Sequence, residues 1–272
     1  MTILQALILG VIEGLTEFLP VSSTAHILLT EKLLGVPADQ TAFIFTVLVQ
    51  MGAIAALVLY FWNDLWSLLL AFLKGIRTRK PFEDFDSRLA WLVLLASLPT
   101  LAIGYLIRNL VTDLFADPLA SAGLRLLVTA VLLTAAELLY KAQRPLTRIT
   151  WLDALWIGVV QVLTILPGSS RSGAAILGGM SRGFDRSSAT RFAFLMSVPI
   201  MSAAGIYEGL GALTHETLSF LPVILVGLVA AGISGWYSIR WLVKYVSKRS
   251  LYPFVIYCLV LGVICFAAYL LR

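Results

Sequence analysis

Charge is scarce in this chain. Only 13% of its 272 residues are Asp, Glu, Lys or Arg, against 60% hydrophobic, too little polar sequence to cover a water-soluble globule. Spanning a bilayer takes about 20 apolar residues, and such runs occur at 42–62, 89–107, 119–140, 221–243 and 251–271, leaving no stretch for a soluble domain. Cysteine is nearly absent too. The two present, Cys258 and Cys265, lie seven apart on the last span, roughly 10 Å along a helix and beyond disulfide reach, so they say nothing about redox compartment. The first hydrophobic segment lacks a basic start and carries Glu13 and Glu17. It is therefore expected to be mature structure rather than a secretory signal.

The net charge of +5 raises the question of a nucleic-acid partner, but the placement of the basic residues answers it. Fifteen of the 20 Lys and Arg fall in four groups between spans: Lys74, Arg77, Arg79, Lys80 and Arg88; Lys141, Arg144 and Arg148; Arg182, Arg186 and Arg191; Arg240, Lys244, Lys248 and Arg249. The connections at 32–39, 108–117 and 208–216 are poor in them, so the positive-inside rule puts the four basic loops in the cytoplasm and both termini outside. Trp62, Trp66, Trp91, Trp151 and Trp241 flank these loops as an interfacial belt. The basic excess is topology, and no nucleic acid is expected as a partner.

The chain repeats itself. An offset of 148 pairs Ala6 with Ala154, Gly10 with Gly158, Leu15 with Leu163 and Thr16 with Thr164; after a one-residue gap, 147 pairs Pro20 with Pro167, Ser22 with Ser169, Ser23 with Ser170 and Phe45 with Phe192. Three crossings separate the copies, and an odd number inverts the second. The expected fold class is an all-α polytopic membrane protein, a single membrane domain over 1–272 with about six full transmembrane spans. A first inverted repeat covers 1–118, a connecting span and loop 119–148, and a second inverted repeat 149–272. Pro20 and Pro167 interrupt their helices, and irregular backbone at membrane depth survives only inside protein or beside a water-filled cavity. Each repeat is thus expected to contain a re-entrant helical hairpin, with a site near the midplane. Kinked helices in a duplicated scaffold are the plainer alternative.

Small hydroxyl residues follow each proline: Ser22, Ser23 and Thr24 in one copy, Gly168, Ser169, Ser170 and Ser172 in the other. They suit new helix N-caps. Two helix N-termini facing one cavity would offer free N–H groups and partial positive charge to an anion. Glu13 and Glu17 stand four apart on one helix face, each costing roughly 2.5 to 3.5 kcal/mol at membrane depth. As hard ligands they suit Mg²⁺ or Ca²⁺ bridged to a phosphate; the structural alternative is pairing with Arg171. That arginine, in PGSSRSG, wants phosphate or carboxylate. His26, three residues after Ser23, can share its face, as base or as nucleophile. Gln50 and its repeat mate Ser197 are expected as supporting groups that line the cavity, the alternative being that they only hydrogen-bond between helices. Arg125 and Glu137, near span ends, are expected to snorkel, and His215 to be solvated in a loop.

EGLTEFLPVSSTAH at 13–26 and PGSSRSGAAILGGM at 167–180 resemble the undecaprenyl-diphosphate phosphatase family, also called bacitracin-resistance proteins, over essentially the whole chain. The resemblance implies hydrolysis of undecaprenyl diphosphate to the monophosphate and inorganic phosphate in the bacterial plasma membrane, with the site open to the outer face. It matches Glu13 and Glu17 to the family's acidic motif, Ser22, Ser23 and His26 to its catalytic segment, and Arg171 to its PGxSRSG arginine. Two departures are visible: Ala175 where the family commonly has threonine, and Cys258 where an arginine often follows a tyrosine. The resemblance makes undecaprenyl diphosphate and membrane lipid the expected partners; a homodimer is left open. The nucleophile is left among Ser23, His26 and water. A lipid-phosphate transporter or flippase is the rival class, since inverted repeats with paired hairpins also suit alternating access.

Overall fold

The computed structural model describes residues 1–37, 39–111, 117–141, 144–164, 170–212 and 220–271, with the side chains of 107–111, 208 and 210–212 excluded. Apart from one bridging pair, Arg144 with Phe184, the regular structure among these residues is helical: α1 (Ile3–Phe18), α2 (Ser23–Leu33), α3 (Gln40–Tyr60), α4 (Trp62–Arg77), α5 (Phe85–Val111), α6 (Pro118–Leu138), α7 (Trp151–Gln161), α8 (Arg171–Ser181), α9 (Arg186–Ala212), α10 (Leu221–Val246) and α11 (Tyr252–Leu270). Six are long and apolar enough to cross a membrane: α3, α6, α10 and α11 over their full lengths, α5 over Phe85–Leu106 and α9 over Arg186–Tyr207. Their outer faces carry bare Leu59, Ile233, Tyr237, Ile256 and Val260, a surface that only lipid would cover. Both cysteines are free and buried.

The helix α4 is not anticipated by the apolar runs. It starts directly after α3, with Phe61 as cap, and buries only Leu68, Ala71 and Gly75 while Trp62, Trp66, Leu69, Leu70 and Leu73 stay exposed. Lys74 and Arg77 in its last turn, assigned above to a loop, favourably meet the negative end of its dipole.

Two short helical hairpins lie inside the six. The first is α1 with α2, the second α7 with α8. Each packs against a long helix from the other half of the chain, α1 on α10 and α7 on α5, and each does so through a glycine. A Cβ on Gly10 would stand 2.3 Å from the Gly227 carbonyl oxygen, and one on Gly158 2.2 Å from that of Ala96, so the backbones meet where any side chain would hold them apart. The helix α8 is buried from Ser172 to Met180, enclosed by α6, α7 and α9.

All four basic groups gather at one end of the bundle. Arg88 Nη2 donates to the Thr147 carbonyl (3.2 Å), Arg144 Nη1 to that of Arg182 (2.8 Å), and Leu251, just past Arg249, donates its N–H to Glu137 Oε1 (2.7 Å), the carboxylate that also pairs Arg186. Glu137 therefore does not snorkel. It is buried, receives two bonds from the Arg186 guanidinium, and that guanidinium lies over the Tyr140 ring, 3.7 Å from its centre.

Asp153, in the first turn of α7, anchors the same end. Its buried carboxylate accepts from Arg144 Nη2 (2.7 Å), Arg182 Nε (2.7 Å) and Thr150. Burial alone would raise its pKa, but the bonds from Arg144, Arg182 and Thr150 outweigh it and hold the carboxyl at about 2, below its ordinary 3.8. A depressed carboxyl pKa contributes stability above the unfolded value, lost as pH falls through the folded one. The stability difference between wild type and Asp153→Asn in detergent should thus stay flat above about pH 4 and shrink, by on the order of 2 kcal/mol, as pH approaches about 2. A difference unchanged down to pH 2 would count against this assignment.

Candidate active site

Pro20 acts where the sequence predicts. The helix α1 ends at Phe18, and Leu19, preceding the proline, is extended (φ −64°, ψ 138°), because the proline ring disfavours a helical residue before it. The chain then turns within three residues into α2. Ser22 carries the turn in the left-handed half of conformational space (φ 67°, ψ 90°) without a side-chain cap bond, an arrangement costing about 1 to 3 kcal/mol for a residue other than glycine. In the second hairpin Ser170 caps α8, its Oγ accepting from the Gly173 N–H (3.2 Å). Pro167, Gly168 and Ser169 lie outside the described residues.

Both restarts open on one cavity of about 490 Å³, lined by Glu17, Ser22, Ser23, Thr24, Ser170 and Arg171 from the two hairpins and by Gln50 from α3. The long helices complete it with Thr100, Tyr105, Arg125 and Tyr207. Its depth follows from helix geometry. Thr100 and Tyr105 stand 15 and 20 residues from the basic-end start of α5, about 22 and 30 Å at 1.5 Å per residue. The cavity therefore runs from mid-bundle toward the end opposite the basic loops.

At its floor Ser23 Oγ donates to Glu17 Oε2 (2.5 Å), and Glu17 Oε1 faces Arg171 Nη1 at 3.8 Å. Among the described residues Arg171 Nη1 is buried without a hydrogen-bond partner, so the guanidinium has donor capacity to spare. Glu13, one turn below Glu17 on α1, is buried and does not line the cavity. Its repeat mate Gln161 is fully buried, and neither amide atom has a partner among the described residues. Ser172 also lies behind the wall, its Oγ 3.0 Å from that of Ser170. Gln50 reaches the cavity directly, whereas Ser197 bonds back to the Ala193 carbonyl (2.8 Å).

His26 is not hydrogen-bonded to Ser23. Its Nδ1 lies 2.9 Å from the Ser22 carbonyl, which can only accept, so Nδ1 carries the proton. In the neutral ring Nε2 then accepts from the Tyr257 hydroxyl at 2.7 Å, and the two rings lie nearly parallel and edge to edge, 8° apart in plane with their centres 5.7 Å apart. The histidine therefore braces the strained Ser22 turn from the side away from the cavity.

Sequence reasoning missed Arg125 as a cavity residue and Tyr257 as the partner of His26. Arg125 was readable from its position, since it stands seven residues inside the start of α6 at Pro118, about 10 Å deep. Tyr257 lies 231 residues from His26, and nothing local couples them. His215 falls outside the described residues.

The model of the family described as bacitracin resistance protein BacA matches residues 6–264. An undecaprenyl-diphosphatase of Acidothermus cellulolyticus is 40% identical over 266 residues, covering 97% of this chain and 95% of the relative. Undecaprenyl-diphosphatases of Myxococcus xanthus (37% over 264 residues, 97% and 88% covered) and Micrococcus luteus (36% over 270 residues, 98% and 97% covered) are similar along comparable lengths. With the matched region enclosing both hairpins and the cavity between them, the chain belongs to the bacitracin resistance protein BacA family.

Proposed function

We infer that this protein is an undecaprenyl-diphosphate phosphatase, releasing inorganic phosphate and returning undecaprenyl phosphate to the lipid-carrier pool of cell-wall synthesis. The observation that carries the reading is the floor of the cavity, where a serine hydroxyl bonded to a carboxylate sits beside an under-used guanidinium. The relatives' names are those of a hydrolase, which favours this over a carrier.

In this reading Ser23 Oγ attacks the terminal phosphorus, giving its proton to Glu17, the base it already touches. The bond from that phosphorus to the bridging oxygen breaks, and undecaprenyl phosphate leaves. Water then attacks the phosphoserine, and Ser23 leaves with a proton returned by Glu17. Arg171 and the N-terminal turns of α2 and α8 hold the phosphoryl oxygens, so catalysis is largely positioning and charge neutralisation. His26 acts through Ser22, as a positioning residue.

Of the two carboxylates only Glu17 lines the cavity and would hold Mg²⁺ or Ca²⁺ there, with Glu13 buried one turn below it. No third Asp, Glu, His or Cys joins them among the described residues, but Mg²⁺ is often held by one or two carboxylates with substrate phosphates completing its shell, so the donors fit an ion arriving with the diphosphate. Such an ion would supply neutralisation of phosphate charge.

The two hairpins, each pressed on a helix of the other half, support reading 1–118 and 149–272 as inverted repeats with re-entrant hairpins, joined by 119–148. The gathering of basic loops at one end supports an orientation in the plasma membrane with that end in the cytoplasm and the cavity open to the outer face.

The test is phosphate release from undecaprenyl diphosphate by purified protein in detergent, with and without Mg²⁺ or Ca²⁺. Turnover that is lost in Ser23→Ala is expected; no release by wild type under any of these conditions would sink the proposal.

A further inference from the structure

Arg125 is the cavity cation that the reading above does not use. It projects from α6 inside a membrane span, where an arginine is costly enough that a partner is the default expectation. Its Nε donates to Ser121 Oγ at 3.2 Å. Among the described residues no carboxylate lies within ion-pair distance of it, yet its side chain lines the cavity. A guanidinium so placed has its charge directed at whatever occupies that space.

Its position relative to Arg171 is set by one residue. Thr129, a turn further along α6, accepts from the Ser170 N–H (3.2 Å) and donates to the Arg125 carbonyl (2.7 Å). The helix α6 thus meets the start of α8 at Thr129, and Arg125 stands one turn, about 5.4 Å, nearer the open end. Among the described residues the cavity is lined by two guanidiniums at successive depths: Arg171 at the floor beside Ser23 and Glu17, Arg125 nearer the mouth.

We propose that Arg125 grips the lipid-linked phosphate of the substrate, the one that leaves with the isoprenoid, while Arg171 grips the terminal phosphate transferred to Ser23. The inference rests on the phosphatase reading. A diphosphate enters floor first by its free end, because its other end is tied to a chain that stays in lipid, so its two phosphates take the two depths in that order. When the bridging bond breaks, negative charge develops on the lipid-linked phosphate, and Arg125 is, among the described cavity residues, the cation placed to meet it. The bond that Arg125 donates to Ser121 holds the guanidinium at the cavity wall.

Three readouts on Arg125→Ala, Arg125→Gln and Arg125→Lys, with a thermal melt of each as a folding check, test the assignment. The first two should lower kcat/KM for undecaprenyl diphosphate by about ten- to a hundredfold, as loss of a charge-assisted bond does. Lysine should recover part of this, since it restores the charge without the fork. Inhibition by undecaprenyl phosphate should weaken by a similar factor, because that product has only the phosphate assigned to Arg125. Inhibition by inorganic phosphate should stay unchanged in these variants and be lost in Arg171→Ala. An active wild type with Arg125→Ala within twofold of it, or equal weakening of both inhibitors, would overturn this inference alone. A wild type releasing no phosphate would overturn the phosphatase reading and this assignment with it.

Discussion

Glu17→Gln is expected to lower kcat for phosphate release by about a thousandfold or more while leaving the protein folded. Removing a general base costs about 10² to 10⁴ in rate, and Glu17 does more than take a proton. Its Oε2 orients Ser23 and its Oε1 faces Arg171, so one residue sets both the nucleophile and the phosphate ligand. Glutamine is the informative replacement because its carbonyl can still accept from Ser23, preserving the geometry while abolishing the basicity. Removing this negative charge also leaves Arg171 without its one ion pair among the described residues, so phosphate binding measured without divalent ions should be kept or strengthened while turnover falls. The comparison with His26→Ala decides which residue is the base. If Ser23 gives its proton to Glu17, His26→Ala should retain the larger share of activity and its loss should be matched by Tyr257→Phe, which removes the other end of the same brace. A Glu17→Gln enzyme that turns over within tenfold of wild type, beside an inactive His26→Ala, would reverse the assignment.

What could be read ahead of the coordinates follows the range over which each cause acts. Spans are written in contiguous residues, and five of the six apolar helices coincide with runs visible by eye. The sixth, α9, has the lowest mean hydropathy of the six, 1.4, because Arg186, Arg191 and several serines interrupt its apolar positions. Pro20 and the hydroxyl residues after it are local signals as well, which is why Glu17, Ser22, Ser23 and Thr24 are found together on the cavity. Pairings across the bundle are not local. Ser23 and His26 are close enough in sequence to suggest partnership, but Ser22 leaves the chain with a positive φ, and the turn sends Ser23 toward Glu17 and His26 toward Tyr257. The depth of Arg125 was available from counting along α6; its role needed the contact of Thr129 with the start of α8.

Glu137 shows the same limit with a consequence for stability. By position it resembles a snorkelling residue near a span end, and its partners lie 49 and 114 residues away. Its side chain is only 2% exposed and that of Arg186 19%, so neither end of the pair is free in water. Glu137→Gln should therefore destabilise the protein by about 3 kcal/mol, at the lower end of the ~3–5 kcal/mol seen when one partner of a buried pair is removed, because Arg186 keeps some access to solvent. The damage is the stranded guanidinium more than the lost attraction. In Glu137→Gln with Arg186→Met the amide oxygen still accepts from the Leu251 N–H, and no unpaired charge remains. That double variant should recover at least half of the loss in thermal unfolding in detergent. Salt offers an independent check, since a solvated surface pair weakens as ionic strength rises and an enclosed one is screened far less. A single variant as stable as wild type, or a stability difference between wild type and variant that shrinks as salt rises, would mean the pair is a surface contact after all. Holding α6, α9 and the start of α11 together at the basic end, it would otherwise set how firmly the floor of the cavity is fixed, because α6 and α9 also carry Arg125 and the wall around α8.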